Sequence, residues 1–243
     1  MNKSVREKLQ TNATLPRGTK KPLRKQKKSK PQDSVQETKV HAQPKPEPIE
    51  TEEAQNVIFQ PNKGPQTEFL SATEREVLYG GSAGGGKSYA MLADPVRYFN
   101  NPHFRGLLIR RTTEELRELI SASKQLYPEA IPNIKFMERD KTWVAPSGAT
   151  LWLSYLDRDD DVTRYQGQAF SWIGFDELTQ WASPYPFDYM RSRLRAARGS
   201  GLDLYQRATT NPGGAGHQWV KKMFIDPAPP RYSFLGNKHR NQV

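Results

Sequence analysis

The sequence predicts an α/β protein: a mostly parallel sheet flanked by helices, preceded by a disordered basic tail. Three observations carry this. From about residue 56 onward, short apolar runs alternate with helix-patterned segments, as strands joined by crossover helices do. Five glycines between Gly80 and Gly86 stand between a strand pattern and a helix pattern. Further on, the apolar run "SWIGF" ends in two adjacent acids, Asp176 and Glu177.

The tail comes first, over residues 1–55. "KKPLRKQKKSKPQ" is a Lys/Arg run with prolines, and "AQPKPEPIETEE" is Pro-rich and then acidic. Neither has the apolar periodicity needed to offset the entropy of ordering. The net charge of +11 belongs here, because residues 1–30 hold eleven Lys/Arg against the single acid Glu7. The folded body is therefore close to neutral. A basic run of this kind suits phosphates or an acidic partner, or serves as a solvated leader. The chain has 243 residues and no cysteine, which excludes disulfides and thiolate metal sites. No apolar run approaches a membrane span, and the first residues lack a signal peptide's apolar segment. A soluble intracellular protein is expected.

The folded region is expected over 56–230, with 231–243 as a C-terminal tail or linker. "EVLY" is a strand from Glu76 to Tyr79, and "KSYAMLADPVRYF" is a helix beginning at the glycine loop. "RGLLIRR" is a buried strand. "TTEELRELISASKQLY" is a helix that Thr112 or Thr113 caps, with glutamates in its first turn. "KTWVAPSGATLWLSYL" is a hairpin turning at Pro146-Ser147-Gly148. "AFSWIGFDE" is a strand, "FDYMRSRLRAARG" a helix stopped by Gly199, "DLYQRATT" a strand and "HQWVKKMFID" a short helix.

Gly81-x-x-x-x-Gly86-Lys87-Ser88 has the spacing and the strand–loop–helix context of a phosphate-binding P-loop. Bare backbone amides over Gly81, Ser82, Ala83, Gly84, Gly85 and Gly86 wrap phosphates, and side chains there obstruct that approach. Lys87 reaches the β- and γ-phosphates, the Ser88 hydroxyl ligates Mg2+, and the helix N-terminus adds partial positive charge. Asp176 holds the metal through its water shell, and Glu177 orients and deprotonates the attacking water. Two adjacent acids point to an ATP-hydrolysing motor rather than a nucleotide kinase. "ATTNPGG" places Thr209, Thr210 and Asn211 at a strand's C-terminal end, the ligand edge of a parallel sheet. There they sense the γ-phosphate.

The series "GPQTEFL", "EVLYGGSAGGGKS", "LLIRRT", "RYQGQAFSWIGFDELTQW", "RSRLR" and "TTNPGGAGHQWVKKMFID" resembles the large terminase subunits of tailed bacteriophages over roughly residues 57–230. The resemblance implies an additional-strand P-loop ATPase core with a catalytic Glu, and ATP hydrolysis with Mg2+ that drives double-stranded DNA into a preformed capsid. Implied partners are the portal and procapsid, the small terminase subunit and further copies in a ring, in the host cytoplasm. It assigns Gln66 to adenine, Gly81, Gly86, Lys87 and Ser88 to Walker A, and Asp176 and Glu177 to Walker B and the catalytic acid. Thr209, Thr210 and Asn211 match its coupling motif.

Some relatives carry an arginine inside the glycine loop, and "GGSAGGGKS" has none. Arg164, acting from a neighbouring subunit, is the first candidate for the missing cation, with Arg110, Arg111 and Arg139 as alternatives. Arg191, Arg195 and Arg198 fall on one helix face at i, i+4, i+7, a DNA-facing, subunit-facing or solvated stripe, with Asp188 placed to pair with Arg191. Complete large terminases continue into a nuclease domain. The residues after the last motif are too few for one, so no DNA cleavage is expected, and Asp159-Asp160-Asp161 is expected to be a solvated loop. The competing functional readings are a helicase- or recombinase-like ATPase, and an idle remnant that binds DNA or a partner.

Overall fold

The computed structural model describes residues 57–81 and 83–229. Expectations for residues 1–55, Ser82 and 231–243 lie outside the described residues. In chain order the elements are α1 (Pro65–Ser71), β1 (Glu76–Gly80), α2 (Lys87–Ala93), β2 (Arg105–Arg110), α3 (Thr113–Ala130), β3 (Lys135–Met137), β4 (Thr142–Val144), β5 (Thr150–Tyr155), β6 (Trp172–Phe175), α4 (Tyr185–Arg191), β7 (Tyr205–Thr210) and α5 (His217–Val220). Short 3-10 segments follow α2 and precede β6 and α4, and a π turn extends α5. The strands form one sheet in the order β1-β7-β6-β2-β5-β4-β3. The first five are parallel, and β4 and β3 add an antiparallel edge.

β6 (WIGF) and the Leu107–Ile109 run of β2 are apolar throughout because both faces are covered. Leu108 and Trp172 pack on the α2–α3 side with Met91, Leu92, Leu116 and Leu119. Their neighbours Leu107, Ile109, Ile173 and Phe175 pack on the opposite side with Phe187, Met190 and Val220. Gly174 lets α2 approach the sheet: a Cβ there would lie 2.8 Å from Leu108 Cδ1 and 3.0 Å from Met91 Sδ. The buried Asp94 carboxylate, at the end of α2, accepts from Trp172 Nε1 (2.8 Å), Tyr205 OH (3.0 Å) and Arg97 (2.7 Å). It pins the helix that follows the glycine loop to β6 and β7.

Most of the expected elements form. Thr112 and Glu115 make a reciprocal capping box at the start of α3, which runs on through Pro128 to Ala130. The hairpin turns at Gly148, whose φ is +90°. The three-residue β3 carries too short a pattern to be read from sequence.

The expected helix over "FDYMRSRLRAARG" ends at Arg191. Phe170 takes the chain beyond it into sheet-like pairing, donating to Arg193 O (2.9 Å) and accepting from Arg195 N (2.8 Å). Arg191, Arg195 and Arg198 therefore share no helix face. Arg191 instead makes a two-pronged pair with Glu76 at the start of β1, and it lies 3.2 Å from Asp188, as expected. Asp159–Tyr165 is a 3-10 helix rather than a loop; Asp159 pairs with Arg111 (3.4 Å) and Asp161 with Arg164 (3.1 Å).

Candidate nucleotide site

The register of the parallel strands brings the motifs together. Gly80 lies opposite Thr210, Phe175 opposite Ala208, and Ile109 opposite Phe175. The glycine loop, the acids, the Thr-Thr-Asn run and Arg110 thus emerge side by side at the C-terminal ends of β1, β6, β7 and β2.

Within the loop, Gly81, Gly84 and Gly86 take φ values of 147°, 81° and 70°. Gly86 is the tightest position, since a Cβ there would sit 2.7 Å from Gln66 Nε2. Gln66 is buried, and both ends of its amide are in use: Oε1 accepts from Asn62 N (2.7 Å) and Nε2 donates to Gly86 O (2.9 Å). One N–H and one acceptor site of the amide assigned to adenine by resemblance thus bind the chain's own backbone, where they brace the loop. On the other flank the Tyr79 hydroxyl donates to Gly85 O (2.9 Å). Nothing in the sequence singles Tyr79 out, because its role depends on the loop folding back over it.

Lys87 opens α2 and is buried, donating to Asn211 Oδ1 (2.8 Å) and Gly81 O (3.3 Å). Ser88 donates to Asp176 Oδ1 (3.3 Å), and Thr209 donates to the same oxygen. Arg110 Nε lies 2.8 Å from Asp176 Oδ2, an ion pair not aligned as a hydrogen bond. Glu177 sits at φ 61°, ψ 54°, a left-handed conformation that costs a non-glycine residue about 1–2 kcal/mol. Two bonds hold it: its N–H donates to Thr209 Oγ1 (3.1 Å), and its carboxylate accepts from Asn211 Nδ2 (2.8 Å). Burial, and then the neighbouring Asp176, push the Glu177 carboxyl above its ordinary value; Arg110, Lys87 and the bond from Asn211 act in the opposite direction. Thr210 binds the backbone and hydroxyl of Thr179 (3.3 and 2.8 Å), lacing β7 to the turn after β6.

Arg164 is not part of this cluster. It lies beyond β5, paired with Asp161 (3.1 Å) and over the Tyr155 and Tyr165 rings. With Arg139 and Lys141 it lines a recess of about 450 Å³. Of the four arginines named from sequence, Arg110 is the one brought to the acids.

The family model of the terminase large subunit, T4likevirus-type, N-terminal part, matches residues 78–235. The chain belongs to this family. No curated protein sequence matches it. Among solved structures, the large terminase of a thermophilic bacteriophage aligns with TM-score 0.52 at 19% identity, over 69% of this chain and 43% of that one. The same terminase in complex with ADP aligns at 0.51 and 19% identity, over 69% and 42%. The large terminase of bacteriophage HK97 aligns at 0.50 and 11%, over 72% and 42%. The match therefore spans less than half of each of these terminases, and at such identities it speaks for the fold.

Proposed function

We propose that this chain is an ATP-hydrolysing motor of viral DNA packaging. The observation that carries this reading is the meeting of a glycine loop, Lys87, Asp176, Glu177 and Asn211 at one edge of a parallel sheet in a member of the terminase family. That the thermophilic-phage relative has a structure in complex with ADP supports the choice of nucleotide.

The loop amides and Lys87 hold the phosphates, and Lys87 supplies a fixed positive charge at the β- and γ-positions. Glu177 accepts a proton from the attacking water, and a raised carboxyl affinity for protons suits that task. Asn211 orients Glu177 and senses whether Lys87 has left for a phosphate. Thr209 and Thr210 hold the ends of β6 and β7 in register while this happens.

Magnesium fits the donor set. Asp176 is buried with Oδ2 lacking a hydrogen bond, and Ser88 stands beside Oδ1. Among the described residues no group of three His, Cys, Asp or Glu could hold a metal alone, and a P-loop metal asks only for a hydroxyl, a carboxylate and the phosphates. Bound there, the ion would be held by Ser88 and Asp176 and would supply positive charge against the phosphates.

Arg164 is assigned to the neighbouring subunit's nucleotide in a ring. Double-stranded DNA, a portal and procapsid, and a small terminase subunit are the partners, in the host cytoplasm. Among the described residues no helix is long and apolar enough to cross a membrane. The deciding experiment is magnesium-dependent ATP turnover with and without DNA for the wild type, Lys87→Ala and Glu177→Gln. Loss of turnover in both variants is expected; normal turnover in both sinks the reading.

A further inference from the structure

We propose that Phe59 and Tyr89 form the platform on which the base of the bound nucleotide stacks, beside the Gln66 amide. The proposal rests on the nucleotide reading of the glycine loop and extends it to the other end of the ligand.

Three observations lead there. The buried Gln66 amide is fixed beside the loop by Asn62 N and Gly86 O. The segment that holds it, residues 57–66, runs along the Gly86 side of the loop: Asn62 Nδ2 lies 3.8 Å from where a Gly86 Cβ would stand. On that same side the Phe59 ring meets the Tyr89 ring at 5.2 Å with a 44° tilt. Tyr89 is 37% exposed and follows Ser88 directly in the first turn of α2, and Ile58 and Val57, which precede Phe59 in the chain, are 37% and 66% exposed. A loop built to hold phosphates is polar along its length, so an exposed ring beside it calls for an apolar occupant.

The geometry of the ligand supplies one. With phosphates against the loop amides, Lys87 and Ser88, the nucleoside must leave the loop at its rim. A base presents a flat apolar face on either side, and an aromatic side chain pairs with it regardless of the base's edge pattern. Phe59 sets the position of the Tyr89 ring, and Tyr89 offers the exposed face. Such a platform adds affinity for a nucleoside without discriminating strongly between purines.

Two probes separate the base from the phosphates. Full-length chain, as wild type, Tyr89→Ala, Tyr89→Phe and Tyr89→Leu, is titrated calorimetrically with MgATP, MgGTP and magnesium tripolyphosphate. Tyr89→Ala is expected to weaken both nucleotides by at least about fivefold while tripolyphosphate binds as to the wild type. Tyr89→Phe keeps wild-type affinity. Should Tyr89→Ala not fold, Tyr89→Leu preserves apolar bulk without the ring and carries the same expectation. Unchanged ATP affinity, or equal weakening of ATP and tripolyphosphate, overturns the platform. Wild-type protein that binds neither ATP nor tripolyphosphate overturns the loop reading itself, and the platform with it.

Discussion

Lys87 donates its ammonium to the side-chain oxygen of Asn211 at 2.8 Å. The other end of that amide donates to Glu177 at 2.8 Å, so one side chain bridges Lys87 and Glu177, the proposed phosphate-binding lysine and general base. A phosphate that draws Lys87 away removes one of the two bonds that fix this amide. On the proposed reading, the arrival of nucleotide would thereby be felt at Glu177. Asn211→Ala should lower kcat at least about tenfold, because an unpositioned general base loses much of its effect, while KM does not rise, since Lys87 no longer has to leave a partner. Steady-state kinetics check this; a raised KM with unchanged kcat would place Asn211 in ground-state binding instead.

Arg110 stands 2.8 Å from Asp176, and both are buried. The four charged groups at the site, Lys87, Arg110, Asp176 and Glu177, balance in sign. Removing Arg110 leaves Asp176 as a buried carboxylate without its cation, which typically costs about 3–5 kcal/mol. Arg110→Ala should therefore lower the denaturant midpoint strongly, and Arg110→Lys should recover most of the loss. Metal-free ATP, a highly charged anion, should also bind less well to the alanine variant. Denaturation curves and metal-free ATP titrations test both parts; equal stability of the alanine variant and wild type rules the pair out as a structural support.

The sequence is most legible where chemistry and backbone geometry coincide. A glycine loop between strand and helix needs little context, because the φ of 70° at Gly86, with a Cβ site 2.7 Å from Gln66 Nε2, strongly favours glycine. The acids after "WIGF" and the Thr-Thr-Asn run after β7 are legible for a related reason: parallel strands deliver their C-terminal ends to one edge. Pairings between distant residues are not. Arg110 is one of several arginines until the β2–β6 register sets it against Asp176. Gln66 is assigned to the ligand by resemblance, and its local sequence does not reveal that Asn62 and Gly86 fold in on it. The helix through Arg198 fails for a tertiary reason, since Phe170 offers the chain after Arg191 a competing set of backbone bonds.

Glu177 is in a conformation and an environment that folding alone does not favour. Its left-handed backbone is strained, and burial holds its carboxyl above the ordinary value. For an acid whose folded-state value is raised, ionisation opposes folding. That penalty is fully present at pH above the folded value and fades as the pH falls and the carboxyl takes up a proton. Glu177→Gln removes the charge while keeping an oxygen for Asn211. The variant should be more thermostable than wild type at pH 7, with the difference shrinking towards acidic pH, and should lack turnover. Calorimetric melting across pH checks the sign; a Gln variant less stable at neutral pH would mean that the attraction of Lys87 and Arg110 for the carboxylate outweighs its burial.

Arg164 belongs to a different part of the sheet. Its pairing with Asp161 at 3.1 Å and its place over Tyr155 hold it beyond β5, away from its own chain's glycine loop. An arginine so placed serves a nucleotide only if another copy brings its loop to it, and assembly then becomes a requirement for turnover. Arg164→Ala should leave ATP affinity within about twofold of wild type. Its main effect should be the loss of the rise in specific activity with protein concentration, a loss of about a thousandfold where a trans-acting arginine completes the transition state. Mixing Arg164→Ala with Lys87→Ala gives the decisive measurement. In a mixed ring the intact loop of the first meets the intact arginine of the second, so activity returns at interfaces of that pairing. No recovery across mixing ratios, with assembly verified by sedimentation, would confine Arg164 to its ion pair with Asp161.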